Sequence, residues 1–173
     1  RLRTTRTVSA PTQVASLNGT NNYFSRASAS LGTTMNFTDD FTVSAWVKLT
    51  SYATGTIVSR YSGTTGWSFF VNSNGTIGLG GYTVGGYRRV NSYQSLPLNK
   101  WVHVAATLDM SGYTYTSDSG ATNNYIMMDG IAVPGYMDQS GTNPTALTAG
   151  GNFEIGSANA TGFFTGKIAQ VAV

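Results

Sequence analysis

The sequence predicts an all-β protein, folded as an antiparallel β-sandwich or jelly roll, and three observations carry this prediction. Apolar and polar residues alternate with a period of two in short runs, as in FTVSAWVKL at 41–49. Turns of Gly, Asn and Ser separate roughly ten such runs, a spacing typical of sandwiches and jelly rolls. No segment combines a 3.6-residue apolar repeat with a helix cap.

Each predicted strand rests on its own alternation or on flanking turn residues. In 41–49, the apolar positions start at Phe41 and share one face of the strand. The run WSFFVNSNGTIGLGG predicts two strands joined by an Asn74-Gly75 turn, which is a strong hairpin signal. The other predicted strands are VASLNG, NYFSR, GTIVSRY, GYRRVNSYQ, WVHVAATLD, NYIMMDGIAV, NFEIGS and FTGKIAQVAV.

Two stretches, 110–124 and 134–151, are long for loops of a β domain. The first separates WVHVAATLD from NYIMMDGIAV, so the segment 99–130 is interpreted as a hairpin with a long loop. Long loops on a rigid sandwich often carry binding function. This loop contains no catalytic set and is predicted to be a recognition or assembly surface, with residue types common in recognition loops. Those residues are Tyr113, Tyr115, Asp118, Asn123 and Asn124.

The charge distribution argues against nucleic-acid binding. Only 10% of the residues are charged, and the net charge of +3 comes from ten Lys and Arg against seven Asp and Glu. Arg1, Arg3 and Arg6 account for this excess, so residues 1–10 are predicted to be a basic arm or linker before a neutral domain at 11–173. A nucleic-acid partner requires a wider basic surface.

With so few charged residues, the surface must be built mainly from Ser, Thr, Asn, Gln, Gly and Tyr, a polar and uncharged balance that suits an extracellular, cell-surface or virion protein. The chain has no cysteine, which excludes disulfides and thiolate metal sites. Membrane insertion is not expected, because no apolar run approaches the roughly 18 residues of a membrane span.

Seven motifs, in order along the chain, resemble a laminin-G-like domain, the concanavalin A-like jelly roll of bacterial surface and phage structural proteins. The resemblance covers Val14 to Val173 and implies the sandwich fold. It implies less about function, because the fold carries lectins, adhesion modules, structural domains and some glycosidases. The motifs are LNGTNNYFS, FTVSAWVKL, GTIVSRY, KWVHVAATLD, YIMMDGIAV, FEIGS and FTGKIAQVAV.

The resemblance also bears on calcium. Many relatives hold a structural calcium ion with acidic residues where this chain has Asn18, Ala169 and Gln170. Ca²⁺ prefers several oxygen ligands that include carboxylates, so these differences weigh against the family site. Asn18 and Asn22, with backbone carbonyls, are the candidate ligands for a weak calcium ion. Relatives also continue beyond Val173, which predicts that this domain belongs to a longer polypeptide.

Catalytic patterns are not found. His103 lies six residues from Asp109, roughly 20 Å along a strand, so this carboxylate cannot orient the ring and a structural role is favoured. Glycoside hydrolysis needs two carboxyl groups roughly 5 to 10 Å apart. Glu154 has no acidic residue two or four positions away, and Asp138 is interpreted as a loop or turn residue. The protein is therefore predicted not to be an enzyme.

One strand has the residues of a sugar-binding surface. In GYRRVNSYQ, the side chains of Tyr87, Arg89, Asn91 and Tyr93 alternate onto one face. Aromatic rings pack on the C–H faces of sugars, and amide and guanidinium groups bind hydroxyls. An ordinary solvated strand face is the alternative.

Tryptophans are the other possible platforms for sugars. They fall within the core motifs of the resembled family, and core packing is the favoured interpretation for Trp46, Trp67 and Trp101.

The sequence therefore favours a non-catalytic adhesion or carbohydrate-binding module of a larger surface-exposed protein. Plausible parents are phage tail, fibre or capsid-decoration proteins and bacterial surface proteins, with a glycan or cell-surface receptor as the partner. The alternative is a purely structural virion or assembly domain that contacts neighbouring subunits and binds no ligand.

Overall fold

The polypeptide is organised as two antiparallel β-sheets packed face to face, which confirms the predicted sandwich. The computed structural model describes residues 11–110, 124–142, 144–148 and 150–173. The predicted arm at 1–10 lies outside the described residues.

In the described part of the chain, one sheet has six strands and brings the first and last strands together. Its strands, in spatial order, are β1 (Ala15–Asn18), β13 (Thr165–Ala172), β3 (Phe41–Leu49), β8 (Val102–Leu108), β9 (Tyr125–Met128) and β10 (Ile131–Val133).

The other sheet has seven strands and contains both the predicted Asn74-Gly75 hairpin and the strand GYRRVNSYQ. Its strands, in spatial order, are β11 (Gly135–Gly141), β7 (Gly86–Ser95), β6 (Thr76–Thr83), β5 (Gly66–Val71), β4 (Gly55–Tyr61), β12 (Phe153–Ile155) and β2 (Phe24–Arg26).

The predicted hairpins form as expected from their turn residues. Between β5 and β6, Gly75 takes a φ of +83°, and the amide of Asn72 donates to the carbonyl of Thr76. The run NYIMMDGIAV, predicted as one strand, is instead divided into β9 and β10 by a turn in which Asp129 and Gly130 both have positive φ. The strands β8 and β9 pair antiparallel, as the hairpin interpretation of 99–130 predicts.

The interpretation of 134–151 as a long loop is wrong for its first half. Residues 135–141 form β11, which pairs along its whole length with β7. The prediction missed this strand because its residues are Gly, Asp, Gln and Ser beside one Tyr and one Met, and these polar types have low strand propensity. The strand forms because β7 offers unpaired backbone groups at the edge of the sheet.

Alternation along the strands builds the core between the sheets. On β3, Val43, Ala45 and Val47 are at most 1% exposed, while the side chains between them face outward. From the seven-stranded sheet, Trp67 and Phe69 are fully buried against them. Burial of each large apolar side chain contributes roughly 1.5–3 kcal/mol to folding.

Of the three tryptophans, only Trp67 lies in the core, where its indole nitrogen donates to the carbonyl of Met35 at 3.1 Å. The core prediction is wrong for Trp46 and Trp101, which are half-buried and lie outside the core cluster. Trp46 instead packs on the outward face of the six-stranded sheet, with its ring centroid 5.4 Å from that of His103. This contact agrees with the structural role predicted for His103.

A buried arginine fixes the segment that joins β2 to β3. Arg60 is 1% exposed and donates to the carbonyls of Gly32 and Thr34 and to the amide oxygen of Asn36. This segment includes the short 3₁₀ helix Ser28–Ser30. No helix among the described residues has the length and hydropathy to cross a membrane.

Candidate functional site

The strand β7 displays its predicted sugar-binding residues on the outward face of the seven-stranded sheet. Its inward residues, among them Arg88 and Val90, are buried at 0% and 4% exposure. Tyr87, Arg89 and Tyr93 are at least partly exposed, with Tyr93 at 58%. Asn91 lies on the same face but is only 4% exposed, so it contributes little accessible surface.

The neighbouring strand β11 adds two residues that were not among the predicted sugar-binding residues. In the antiparallel register, Tyr136 lies opposite Asn91 and Asp138 lies opposite Arg89. Residues directly opposite each other point to the same face and contact each other. We call the combined patch the β7–β11 surface, which comprises Tyr87, Arg89, Asn91, Tyr93, Tyr136 and Asp138.

The interpretation of Asp138 as a loop or turn acid is wrong. It lies in β11, and its carboxylate forms a salt bridge with the guanidinium of Arg89. Its other oxygen accepts a hydrogen bond from the Tyr87 hydroxyl at 3.3 Å. The Arg89 guanidinium also lies 4.2 Å from the centroid of the Tyr87 ring, a cation–π contact. The three side chains therefore hold one another in a single arrangement.

The surroundings of Arg89 keep it charged. Desolvation by burial lowers the pKa of Arg89. The nearby Tyr82 and Asp138 raise this pKa by more than burial lowers it, so the net shift is upward. Burial raises the pKa of Tyr82, because an ionised phenol would lose its hydration. At neutral pH Arg89 is therefore positively charged and the Tyr82 phenol is neutral.

At the other end of the surface, two tyrosines from different strands lie side by side. The ring centroids of Tyr93 and Tyr136 are 5.1 Å apart, and their planes are inclined by 33°. A tilted pair of this kind presents an apolar surface with hydroxyl groups at its edge. Such a surface suits the C–H face of a pyranose ring.

Two glycines of β6 give these side chains room to lie along the sheet. A Cβ atom at Gly80 would lie 2.6 Å from the Tyr82 hydroxyl and 2.7 Å from Cγ of Arg89. A Cβ atom at Gly78 would collide with the side chains of Asn91 and Phe70. The glycines interpreted in the sequence as strand residues therefore position the neighbouring polar and aromatic groups.

A row of tyrosines extends the surface across the sheet. Tyr61 of β4 and Tyr82 of β6 have ring centroids 5.0 Å apart, and Tyr82 is 6.3 Å from Tyr87. Between the first two, β5 has Gly66 in register with both, so no side chain separates their rings. The row of aromatic side chains on this face therefore extends beyond the four residues of the sequence prediction.

The carboxylates of the seven-stranded sheet are too far apart for paired acid–base chemistry. Among the described strands of this sheet, Asp138 and Glu154 are the acidic residues. They lie in the same row across the sheet, with five strand-to-strand steps between them. At about 4.8 Å per strand they are roughly 24 Å apart, whereas glycoside hydrolysis needs roughly 5 to 10 Å. Glu154 is 3% exposed and accepts hydrogen bonds from Ser157 and the amide of Ala160.

The recognition or assembly loop predicted at 110–124 is described only at its two ends. Tyr113, Tyr115, Asp118 and Asn123 lie outside the described residues. Asn124 precedes β9, and its side-chain oxygen accepts a hydrogen bond from the amide of Asp109 at 2.9 Å. It therefore joins the two strands of the hairpin at the base of the loop.

The candidate calcium ligands Asn18 and Asn22 lie in the turn after β1. The side-chain oxygen of Asn18 accepts hydrogen bonds from the amides of Thr20, Asn21 and Asn22 at 3.0–3.2 Å. This oxygen has already made the contacts that stabilise the turn. The described residues contain no group of three or more His, Cys, Asp or Glu side chains that could hold a metal ion.

A groove of about 390 Å³ lies at the opposite edge of the sandwich, where β1 and β13 meet β2 and β12. Its side chains are mostly apolar, including Val14, Phe24, Ile155 and Ile168. The described residues that line it include no charged side chain, so its polar groups are few compared with those of the β7–β11 surface.

Comparison with solved structures finds the same fold in proteins of low sequence identity. A putative carbohydrate-binding protein from Bacteroides ovatus is 18% identical, with a TM-score of 0.60 over 94% of this chain and 44% of that one. The carbohydrate-binding module CBM40 of a Ruminococcus gnavus sialidase is 13% identical, with a TM-score of 0.57 over 92% and 90%. Mouse laminin α1 domains LG4-5 are 13% identical, with a TM-score of 0.57 over 90% and 39%.

Comparison by sequence gives the family. No curated protein shows a significant match to the chain. A family model described as the concanavalin A-like lectin/glucanases superfamily matches residues 18–173, almost the whole chain. This chain belongs to the laminin-G-like branch of the concanavalin A-like lectin/glucanase superfamily.

Proposed function

We propose that this chain is a non-catalytic carbohydrate-binding domain and that glycans bind at the β7–β11 surface. The observation that carries the proposal is the Tyr93–Tyr136 pair next to the Arg89–Asp138 salt bridge. The aromatic pair offers an apolar platform, and the ion pair offers donors and acceptors for sugar hydroxyls. Two structural neighbours, CBM40 of a Ruminococcus gnavus sialidase and a putative carbohydrate-binding protein from Bacteroides ovatus, support this choice.

The separation of Asp138 from Glu154 supports a binding role without glycoside hydrolysis. A polar, weakly charged surface supports a place outside the cell, on a cell surface or in a virion. Phage tail, fibre or capsid-decoration proteins and bacterial surface proteins remain the proposed parents, with this domain as one part of a longer chain.

The test is a glycan array on the purified domain, compared between Tyr93→Ala, Tyr136→Ala and Tyr125→Ala variants. Tyr125 is a matched control, because it is 50% exposed and lies on the six-stranded sheet. Loss of a stacked aromatic side chain costs about 1 kcal/mol or more. Affinity should therefore fall at least roughly fivefold in the first two variants and stay unchanged in the third.

Each other outcome of the array has a defined meaning. Loss of binding only in Tyr125→Ala contradicts the β7–β11 surface and favours the neighbouring loop at 110–124. A folded domain that binds no glycan contradicts the proposal and favours the structural assembly domain. A repeat of the array in EDTA tests the calcium hypothesis separately, because the proposed contacts use only side chains of β7 and β11.

A further inference from the structure

The charge balance of the β7–β11 surface has a consequence for the kind of glycan that it accepts. We infer that this surface selects neutral sugars and rejects glycans whose terminal residue carries a carboxylate, such as sialic or uronic acids. The inference rests on the proposed function. It follows from the way in which Asp138 engages the one accessible cation of the described part of this surface.

Arg89 is the group that an acidic sugar would need, because guanidinium binds carboxylates in a planar, bidentate manner. In this structure the Asp138 carboxylate already accepts a hydrogen bond from Nη2 of Arg89. The two residues are directly opposite in the β7–β11 register, and their side chains are 30% and 35% exposed. One face of the guanidinium is also covered by the Tyr87 ring at 4.2 Å.

Displacement of Asp138 is opposed by its own contacts. Its second oxygen accepts the Tyr87 hydroxyl, and its backbone is held within the ladder of β7 and β11. A carboxylate of a sugar that approached Arg89 would lie within a few ångströms of the Asp138 carboxylate, and like charges at this distance repel. The surface therefore disfavours an acidic sugar even though it contains an arginine.

A neutral sugar meets the opposite conditions. A carboxylate has about four lone-pair sites, so Asp138 retains acceptors for sugar hydroxyls after it has bound Arg89 and Tyr87. Arg89, whose side chain is 30% exposed, can donate to the ring or hydroxyl oxygens of the same sugar. The Tyr93–Tyr136 pair lies close by on the same face of the sheet, where a further pyranose of the chain would pack.

The experiment compares affinity for neutral glycans with affinity for their sialylated or uronate-terminated counterparts. The pairs are a neutral oligosaccharide, such as lactose, and its α2,3-sialylated form. The proteins are the wild type, Asp138→Asn, Arg89→Gln and Asp39→Asn. Asp39 is an exposed acid outside the strands, so its substitution changes the net charge by the same amount as Asp138→Asn and serves as the matched control.

The wild type should bind the neutral member of each pair at least roughly tenfold more tightly. Asp138→Asn should move this ratio at least roughly tenfold toward the acidic member, because it frees Arg89 and removes the repulsion. Arg89→Gln should move the ratio in the opposite direction, and Asp39→Asn should leave it unchanged. Thermal melting of each variant establishes that it is folded. If Asp138→Asn does not fold, the shift expected for Arg89→Gln still tests the inference.

A wild-type preference for acidic glycans, or an unchanged ratio in a folded Asp138→Asn variant, overturns the inference while leaving the proposed function intact. The absence of binding to every glycan overturns the proposed function and the inference with it.

Discussion

Arg88 and Arg89 are consecutive residues of β7, yet their side chains lie on opposite faces of the seven-stranded sheet. Arg89 faces outward and is paired with Asp138. Arg88 faces inward and is 0% exposed, and within the described part of the chain none of its guanidinium nitrogens has a hydrogen-bond partner. The pKa of Arg88 is lowered by desolvation, an effect that Asp109 and Asp40 oppose. The pKa of Arg89 is instead raised overall.

This contrast shows that the effect of a buried arginine on stability depends on its hydrogen-bond partners. Arg60 provides the third case, since it is as buried as Arg88 but donates to oxygens of Gly32, Thr34 and Asn36. A buried cation stabilises the fold when hydrogen bonds replace its hydration, and it destabilises the fold when they do not. On the outward face, a partly hydrated ion pair contributes little to stability and is available for function.

The largest expected effect is that of Arg60→Met. This change leaves the carbonyls of Gly32 and Thr34 without their charged donor, so the free energy of unfolding should fall by about 3 kcal/mol. Urea denaturation followed by tryptophan fluorescence measures it, because Trp67 contacts the same segment through the carbonyl of Met35. A loss below about 1 kcal/mol would show that the segment is held mainly by apolar packing.

A smaller effect of opposite sign is expected for Arg88→Met. The substitution replaces a desolvated charge, which has no hydrogen bond within the described residues, with an apolar side chain. The free energy of unfolding should therefore rise by about 1 kcal/mol. Arg89→Met is the matched control and should destabilise by less than about 1 kcal/mol, because its salt bridge is partly exposed. Marked destabilisation by Arg88→Met alone would mean that attraction to Asp109 and Asp40 outweighs the cost of desolvation.

The smallest effect concerns Tyr82, which lies on the outward side and is largely buried by its neighbours. Because its pKa in the folded protein is raised above the ordinary value of 10.0, the unfolded chain releases the phenolic proton first. The contribution of the neutral Tyr82 phenol to the free energy of unfolding is therefore fully present below pH 10. This contribution is lost as the pH rises through the pKa of Tyr82 in the folded protein. Above pH 10 the free energy of unfolding of the wild type, measured from denaturation curves, should therefore fall relative to that of Tyr82→Phe, and parallel pH profiles would contradict this assignment.

Much of the fold was predictable, because period-two alternation and turn residues report directly on local backbone conformation. The strands at 41–49 and 55–61 form with the predicted bounds. Trp46 was assigned wrongly because a family core motif does not state which face of a strand its aromatic residue occupies. Its place in the alternation of β3, opposite to Val43 and Val47, was the more reliable signal.

The candidate site was only half predictable. Tyr87, Arg89, Asn91 and Tyr93 share a face because they are spaced by two along one strand, which the sequence shows. Tyr136 and Asp138 were missed because β11 is a polar edge strand without strong propensity of its own. The alternation of Tyr136, Asp138 and Ser140 was the available signal, but its weight depends on the neighbouring strand.

By itself, the sequence determined that this protein is an antiparallel sandwich and which side chains of β7 share a face, because both follow from local alternation. Only the tertiary structure decided that Asp138 meets Arg89, that Tyr136 meets Tyr93 and that Asn91 is covered. The register between β7 and β11 is a non-local property, since it is set by backbone pairing between segments more than 40 residues apart. The charge balance proposed to select neutral glycans arises from that pairing.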